Sequence, residues 1–129
     1  MRIIIKNKET LLYDDFVFKC SIGKKGFTKN KIEGDKKTPK GIYTLGPLYY
    51  RPDRNNKLQT QLKKIKIKKN MGWCDDSSSP FYNKLIKIKN NIKCEKLYRK
   101  NNNYDLLIPI NYNYSNIKRK KGSAIFLHL

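Results

Sequence analysis

The sequence has little acid, little arginine and a single histidine. Its 129 residues hold 10 Asp and Glu against 30 Lys and Arg, which gives a formal net charge of +20. No apolar run approaches the ~20 residues that a spanning helix needs, so a transmembrane protein is excluded. The 15 aromatic residues (nine Tyr, five Phe, one Trp) can build a core and argue against a disordered tail. This length predicts one domain over residues 1–129.

The positive charge points first to nucleic acid or another polyanion. However, the 30 basic residues are 25 Lys and only 5 Arg. Arginine is the residue preferred for bidentate contacts to phosphates and bases. Lys, Asn, Ile and Tyr are abundant together, as in an AT-biased coding sequence. The composition therefore favours solvated lysine faces, and no nucleic-acid partner is expected.

The three cysteines, Cys20, Cys74 and Cys94, are widely spaced and form no CxxC pair. A structural zinc site needs about four Cys or His ligands at short spacing, so no metal site is expected. An odd number of cysteines also fits poorly with a disulfide framework. No secretory leader is visible, because only three isoleucines, Ile3–Ile5, precede the return of charge.

The chain is predicted to be mostly β, since short β-branched and aromatic runs alternate with turn residues and no long helical period occurs. Isoleucines alternate with lysines in two segments, as expected of half-buried strands with a lysine outer face. Lys93–Lys100 fits either a short helix or a strand. Pro109 indicates an edge, a bulge or a strand end. The predicted strands are Arg2–Lys6, Phe16–Cys20, Ile42–Tyr50, Leu62–Lys68, Leu85–Lys89, Tyr104–Ile110 and Gly122–Leu129.

Two early segments are rich in turn residues. Gly23–Phe27 is glycine-rich and basic, but it lacks GxGxxG and the GK[ST] ending of a phosphate loop. Glu33–Gly41 has turn chemistry at nearly every position, because glycine allows a positive φ and proline fixes φ. Both segments are expected to be loops, and a phosphate site is not expected.

His128 is the one side chain that titrates near neutrality without help. It ends an apolar strand, where a lone histidine is more often structural. The functional alternative is a general base for a cysteine or serine nucleophile.

The segment Trp73–Asp76 joins the one Trp, a Cys and two carboxylates. Adjacent carboxylates can bind a cation or act as acid and base, but a turn pair beside a core tryptophan is favoured. The carboxylates disfavour a thiolate, so Cys74 is expected to be a poor nucleophile.

Several segments together carry a resemblance that covers nearly the whole chain. They are Gly26–Lys31, Glu33–Tyr43, Gly72–Asp76, Tyr104–Ile108 with Asn111–Asn113, and Gly122–His128. In this order they resemble the L,D-transpeptidase catalytic domain family (YkuD-like, or ErfK-type). The combination of EGDxxTPxG with a later GSAIFLH is specific.

The resemblance implies a mainly β fold, a sandwich of mixed sheets with little helix. It implies a cysteine enzyme that attacks the bond between an L-centre and D-alanine in a peptidoglycan stem peptide. A thioester forms, and an amine of a neighbouring stem peptide resolves it to a cross-link, or water resolves it to a trimmed peptide. The family's histidine, which activates the thiol, matches His128. Backbone amides near the nucleophile are expected to stabilise the oxyanion.

The chain departs from the family pattern at the nucleophile. In the family, the cysteine lies in a Gly-Cys pair, a loop's length after this histidine. None of Cys20, Cys74 and Cys94 follows a glycine, and all three precede His128. We therefore expect a domain that is incomplete at its C-terminus, lacks the Gly-Cys segment and is impaired in catalysis.

The remaining expectations concern partners and location. The resemblance implies peptidoglycan stem peptides as partners, no metal or organic cofactor, and a bacterial cell envelope or periplasmic location. A monomer without a membrane span is expected. The alternative from another class is a basic, non-catalytic binding module for an acidic polymer, such as cell wall or, with less support, RNA.

Overall fold

The computed structural model describes residues 2–129 as strands, turns and loops, with no helix in that range. The mainly β fold class expected from the sequence is confirmed. Over the same residues, no helix is long and apolar enough to span a bilayer. The chain forms two compact units, one up to Gly41 and the other from Ile42 to Leu129. That residues 1–129 act as one domain stays a prediction.

The first unit begins with a three-stranded antiparallel sheet. Its strands are β1 (Ile3–Ile5), β2 (Thr10–Tyr13) and β3 (Phe16–Lys19), in the order β1-β2-β3. Asp14 turns the chain between β2 and β3 with a φ of 47°, which short polar side chains tolerate. The sequence predicted β1 and β3. Strand β2 was not predicted, because its four residues show no alternation of apolar and polar side chains.

A loop built around Asp35 follows in the same unit. It connects β4 (Phe27–Thr28) to β5 (Thr38–Pro39), which pair in parallel. One Asp35 oxygen accepts from Lys31 Nζ at 2.5 Å and from the Lys37 amide at 2.9 Å, and the other accepts from the Ile32 amide. Burial opposes ionisation, but these hydrogen bonds and the Lys31 charge lower the pKa of Asp35 to about 2. Asp35 therefore holds the loop together as a carboxylate.

The glycine-rich turn before β4 packs tightly against this loop. A Cβ atom at Gly23 would lie 2.5 Å from the backbone oxygen of Lys36, so only glycine fits there. The Gly23 amide donates to Thr38 Oγ1 at 2.8 Å. Gly23 therefore serves backbone packing.

The second unit contains seven strands in two sheets. One is mixed, with the order β12-β11-β6-β7, and the other is antiparallel, with the order β10-β8-β9. The strands are β6 (Leu48–Tyr50), β7 (Lys64–Lys66), β8 (Met71–Cys74), β9 (Leu85–Lys87), β10 (Cys94–Lys96), β11 (Leu106–Pro109) and β12 (Phe126–His128).

The observed strands are shorter than the predicted ones. Of Ile42–Tyr50 only the last three residues form β6. Leu45 adds an isolated bridge to Ile110, and Pro47, which has no amide proton to donate, precedes β6. Lys93–Lys100 contains a strand, β10, and no helix. Pro109 is the last residue of β11. Of the three predicted placements, the structure therefore has the strand end. Strand β8 was not predicted, since it has only four residues and includes a glycine.

The core of the second unit joins both sheets. Its buried members are Tyr49, Ile67, Trp73, Leu97 and Leu107. The predicted alternation along β7 is confirmed, because the isoleucines are covered while the lysines between them are exposed. The core thus places the tryptophan of β8 beside the strands that carry the candidate site.

Replacing Asp35 by Asn is expected to lower the free energy of unfolding at pH 7 by roughly 1–2 kcal/mol. A folded-state pKa below the unfolded value stabilises the fold only while the carboxyl is ionised. The gap between wild type and variant should be complete above pH ~4 and vanish as the pH falls toward 2. Urea denaturation across this range measures it, with the exposed Asp15→Asn as control. A gap of constant size would contradict the assignment.

Candidate active site

His128 is the last residue of β12, an outer strand of the mixed sheet as residues 2–129 form it. It lies opposite Leu107 of β11, and Phe126 lies opposite Pro109. Because side chains alternate along a strand, His128 and Phe126 point to the same face of the sheet. Phe126 is partly covered, whereas His128 is exposed. The imidazole therefore stands at the solvent edge of an apolar face, where it can meet a substrate.

The ring of Tyr104 braces the imidazole. The two rings meet edge to face, with centroids 5.2 Å apart. Tyr104 Oη donates to Glu95 Oε1 at 2.8 Å, and Glu95 is also ion-paired with Arg99. The Arg99 guanidinium lies 4.5 Å above the Tyr104 ring. Burial, followed by the bond to Glu95, raises the pKa of Tyr104 well above its usual value, so the phenol stays protonated and in place.

A row of aromatic rings continues from His128 into the core. Phe126 meets Tyr104 at 5.8 Å and Trp73 at 5.3 Å between centroids, both edge to face. Trp73 meets Tyr49 in the same way at 6.3 Å. Such edge-to-face pairs add to the stabilisation from burial and restrict ring orientation. A continuous series of ring contacts therefore joins the histidine to the core of the second unit.

The buried side chain of Asn83 fixes the chain ahead of β12. Its Oδ1 accepts from Trp73 Nε1 at 2.8 Å and from the Ala124 amide at 3.0 Å. Its Nδ2 donates to the carbonyl oxygens of Tyr112 and Asn113 at 3.1 and 2.7 Å. Both donors and both acceptor sites of the amide are thus used. Asn83 ties the tryptophan to the segment that leads to His128.

The glycine that opens this segment is held from two further sides. The Gly122 amide donates to the buried Tyr82 hydroxyl at 2.9 Å, and Asn113 Nδ2 donates to the Gly122 carbonyl at 3.0 Å. The Asn113 side chain also closes the loop before it, since Oδ1 accepts from the Lys118 amide at 2.8 Å. Gly122 has a φ of 104°, which favours glycine.

The two cysteines of the second unit face away from the imidazole. Glu95 lies opposite Trp73 in the ladder of β8 and β10, and these two side chains face the aromatic row. Cys74 and Cys94 are the next opposed pair and therefore lie on the other face. Burial, followed by the Asp75 carboxylate, raises the pKa of the Cys94 thiol. The geometry gives neither thiol a place beside His128.

Asp75 and Asp76 follow β8 and lead into a turn beside the core Trp73, as the sequence favoured. Asp76 Oδ1 accepts from the Ser78 hydroxyl at 2.6 Å and the Ser78 amide at 2.9 Å. These bonds, the hydroxyl's first, lower the pKa of Asp76. No group of three or more His, Cys, Asp or Glu side chains that could hold a metal lies within residues 2–129.

Three of the five arginines make internal contacts. Arg51 is buried and makes a two-bond ion pair with Asp53, at 2.9 and 2.7 Å. Arg54 donates to Asp105 at 2.6 Å. Arg99 belongs to the group around the tyrosine beside His128. Arginine, the residue type best suited to phosphate contacts, therefore mainly makes contacts within the fold.

The family model of the L,D-transpeptidase catalytic domain, YkuD, matches residues 1–129. The chain belongs to this family. The resemblance drawn from the motifs is thereby confirmed, and L,D-transpeptidase-type chemistry with peptidoglycan as its substrate class follows from the family. No curated protein and no solved structure matches the chain significantly.

The sequence named His128 as a candidate base in this L,D-transpeptidase domain, but it did not single out the residues that contact or position it. Tyr104 was noted only as the start of a strand, and Glu95 only within an ambiguous segment. Asn83 carried no motif, because its partner Ala124 lies 41 residues away in the chain. The one available signal was that asparagine tolerates a positive φ, here 56°.

Replacing Asn83 by Asp is expected to lower the free energy of unfolding by at least about 2 kcal/mol. The substitution keeps the shape and the tolerance for a positive φ. It places a second acceptor, or a buried charge, against the carbonyl oxygens of Tyr112 and Asn113. Urea denaturation measures the loss, with the exposed Asn116→Asp as a control of equal charge change. Equal stability of the two variants would show that the amide is not the anchor described.

Proposed function

We propose that this L,D-transpeptidase domain uses His128 as the general base of a cysteine acyl transfer on a peptidoglycan stem peptide. The supporting observation is that the exposed imidazole stands at the end of a braced aromatic row, on the face lined by Phe126. Family membership supplies the reaction class. An imidazole with one packed neighbour and one solvent-facing side is placed to accept a thiol proton.

The proposed reaction has two halves. His128 takes the proton of the thiol, and the thiolate attacks the carbonyl carbon between the L-centre and D-alanine. The tetrahedral oxyanion collapses as the imidazolium returns the proton to the leaving D-alanine amine, which leaves a thioester. An amine of a second stem peptide then attacks this thioester and regenerates the thiol. Water as the acceptor gives a trimmed peptide instead.

The nucleophile in this proposal is not one of the three cysteines in residues 1–129. Cys74 and Cys94 lie on the face of their sheet away from the aromatic row, and Cys74 is completely buried. Cys20 follows a lysine and not a glycine. Residues 1–129 alone are therefore proposed to bind a stem peptide without cleaving it.

Two further points belong to the same proposal. The family model spans both compact units, which supports their acting as one catalytic domain. The family also suggests a cell-envelope location. Exposed lysines such as Lys64, Lys66 and Lys87 suit a substrate rich in carboxylates.

Binding of a stem tetrapeptide ending in D-alanine is expected to shift the imidazole resonances of His128, because the reacting bond must lie beside the base. NMR titration of the 129-residue chain measures this with a single histidine to assign. The same peptide ending in L-alanine is the matched control and should cause a smaller shift. Equal shifts, or none with either peptide, would refute the proposed position of the substrate.

Release of D-alanine from the tetrapeptide by the 129-residue chain is expected to stay at the level of the enzyme-free blank. The physical reason is that no thiol meets the base, so no thioester can form. A coupled D-alanine assay measures the release. Release that Cys20→Ser, Cys74→Ser or Cys94→Ser abolishes would identify a nucleophile within these residues and overturn the assignment.

A further inference from the structure

Two thiols face each other across the antiparallel sheet of the second unit. Cys74 of β8 and Cys94 of β10 are direct partners in the ladder, so their side chains leave the same face. Neither is in a disulfide in this structure. The proposed catalysis uses neither of them.

In an antiparallel ladder, non-hydrogen-bonded pairs have the shorter Cα–Cα distance, and Cys74 and Cys94 form such a pair. The Leu97 amide donates to the Met71 carbonyl at 3.1 Å, which makes those two residues a hydrogen-bonded pair. Bonded and non-bonded pairs alternate, so the third pair along, Cys74 with Cys94, is non-bonded. Cα atoms in such pairs lie about 4.5 Å apart, within the range of about 4.4–6.8 Å that disulfides span.

Gly72 leaves space beside the Cys94 sulfur. Gly72 is the diagonal neighbour of Cys94 on the same face, and a Cβ atom there would lie 2.8 Å from Cys94 Sγ. The absence of a side chain at Gly72 gives the Cys94 sulfur room on that side. Cys94 is partly exposed and Cys74 is fully buried, so a reagent reaches Cys94 first.

We propose that Cys74 and Cys94 form a modification site that closes to an intramolecular disulfide between β8 and β10. The oxidant is a small-molecule disulfide. Cys94 loses its proton, and its thiolate attacks one sulfur of the reagent, which gives a mixed disulfide and one reagent thiolate. Cys74 then loses its proton, and its thiolate attacks Cys94 Sγ and releases the second reagent thiolate. The two protons lost by the cysteines pass to the two reagent thiolates. Two protein thiols are oxidised by two electrons, and one reagent disulfide is reduced to two thiols.

The bond would join the two strands behind the candidate site. Trp73 and Glu95 occupy the opposite face of the same two strands, where they support Phe126 and Tyr104. Closing the disulfide therefore fixes the spacing of the pair that braces the aromatic row. This inference does not depend on which residue is the nucleophile.

The test treats the folded 129-residue chain with oxidised glutathione, alkylates the remaining thiols after denaturation, and maps the cross-links by mass spectrometry. Lysines such as Lys84 and Lys89 lie between the two cysteines, so trypsin separates them into different peptides. The expected product is one Cys74–Cys94 cross-link with the loss of two hydrogens, formed equally in Cys20→Ser. The same treatment in urea should give all three possible pairings.

Controls separate the site from general thiol reactivity. Cys94→Ser and Cys74→Ser should each abolish the cross-link, and oxidation should raise the melting temperature of Cys20→Ser but not of Cys94→Ser. Should Cys74→Ser fail to fold, the partly exposed Cys94→Ser alone carries this control. The proposal is overturned if, after oxidation of the folded protein, Cys74 and Cys94 are both still free to be alkylated on denaturation. It is equally overturned if either pairs with Cys20 in preference.

Discussion

The side-chain amide of Asn83 makes four hydrogen bonds inside the second unit, and the route of the chain to His128 depends on them. A buried amide is costly unless every donor and acceptor is satisfied. The Asn83 amide is satisfied by the Trp73 indole, the Ala124 amide and two loop carbonyls. The tryptophan, the loop and the start of the last strand segment are therefore held in one arrangement.

This arrangement makes the candidate base part of a rigid surface. The histidine ends a strand, and the rings of Tyr104, Phe126 and Trp73 lead from it to the core. Glu95 accepts a hydrogen bond from the tyrosine, and Arg99, which is ion-paired with Glu95, makes a cation–π contact with its ring. In the proposed reaction, a base held in this way would lose little freedom when a thiol and a peptide approach, which would lower the entropic cost.

The arginines and the lysines have different roles in this molecule. Arg51, Arg54 and Arg99 make ion pairs and bonds to carbonyls, where the planar guanidinium satisfies several acceptors at once. The strand lysines instead project into solvent and keep the strand edges soluble. The net charge of +20 is therefore largely a property of the outer surface.

The sequence by itself determined the mainly β class, the solvated lysine faces, the loop around Asp35 and the family, and it named His128 as a candidate base. These features depend on local alternation, turn residues and ordered motifs, which a single chain displays directly. Only the tertiary structure decided where the strands end, that Tyr104 and Glu95 brace the imidazole, that Asn83 anchors the approach to it, and that Cys74 faces Cys94. The physical reason is that these contacts join residues 9 to 41 positions apart, and their partners become neighbours only when the sheets pack.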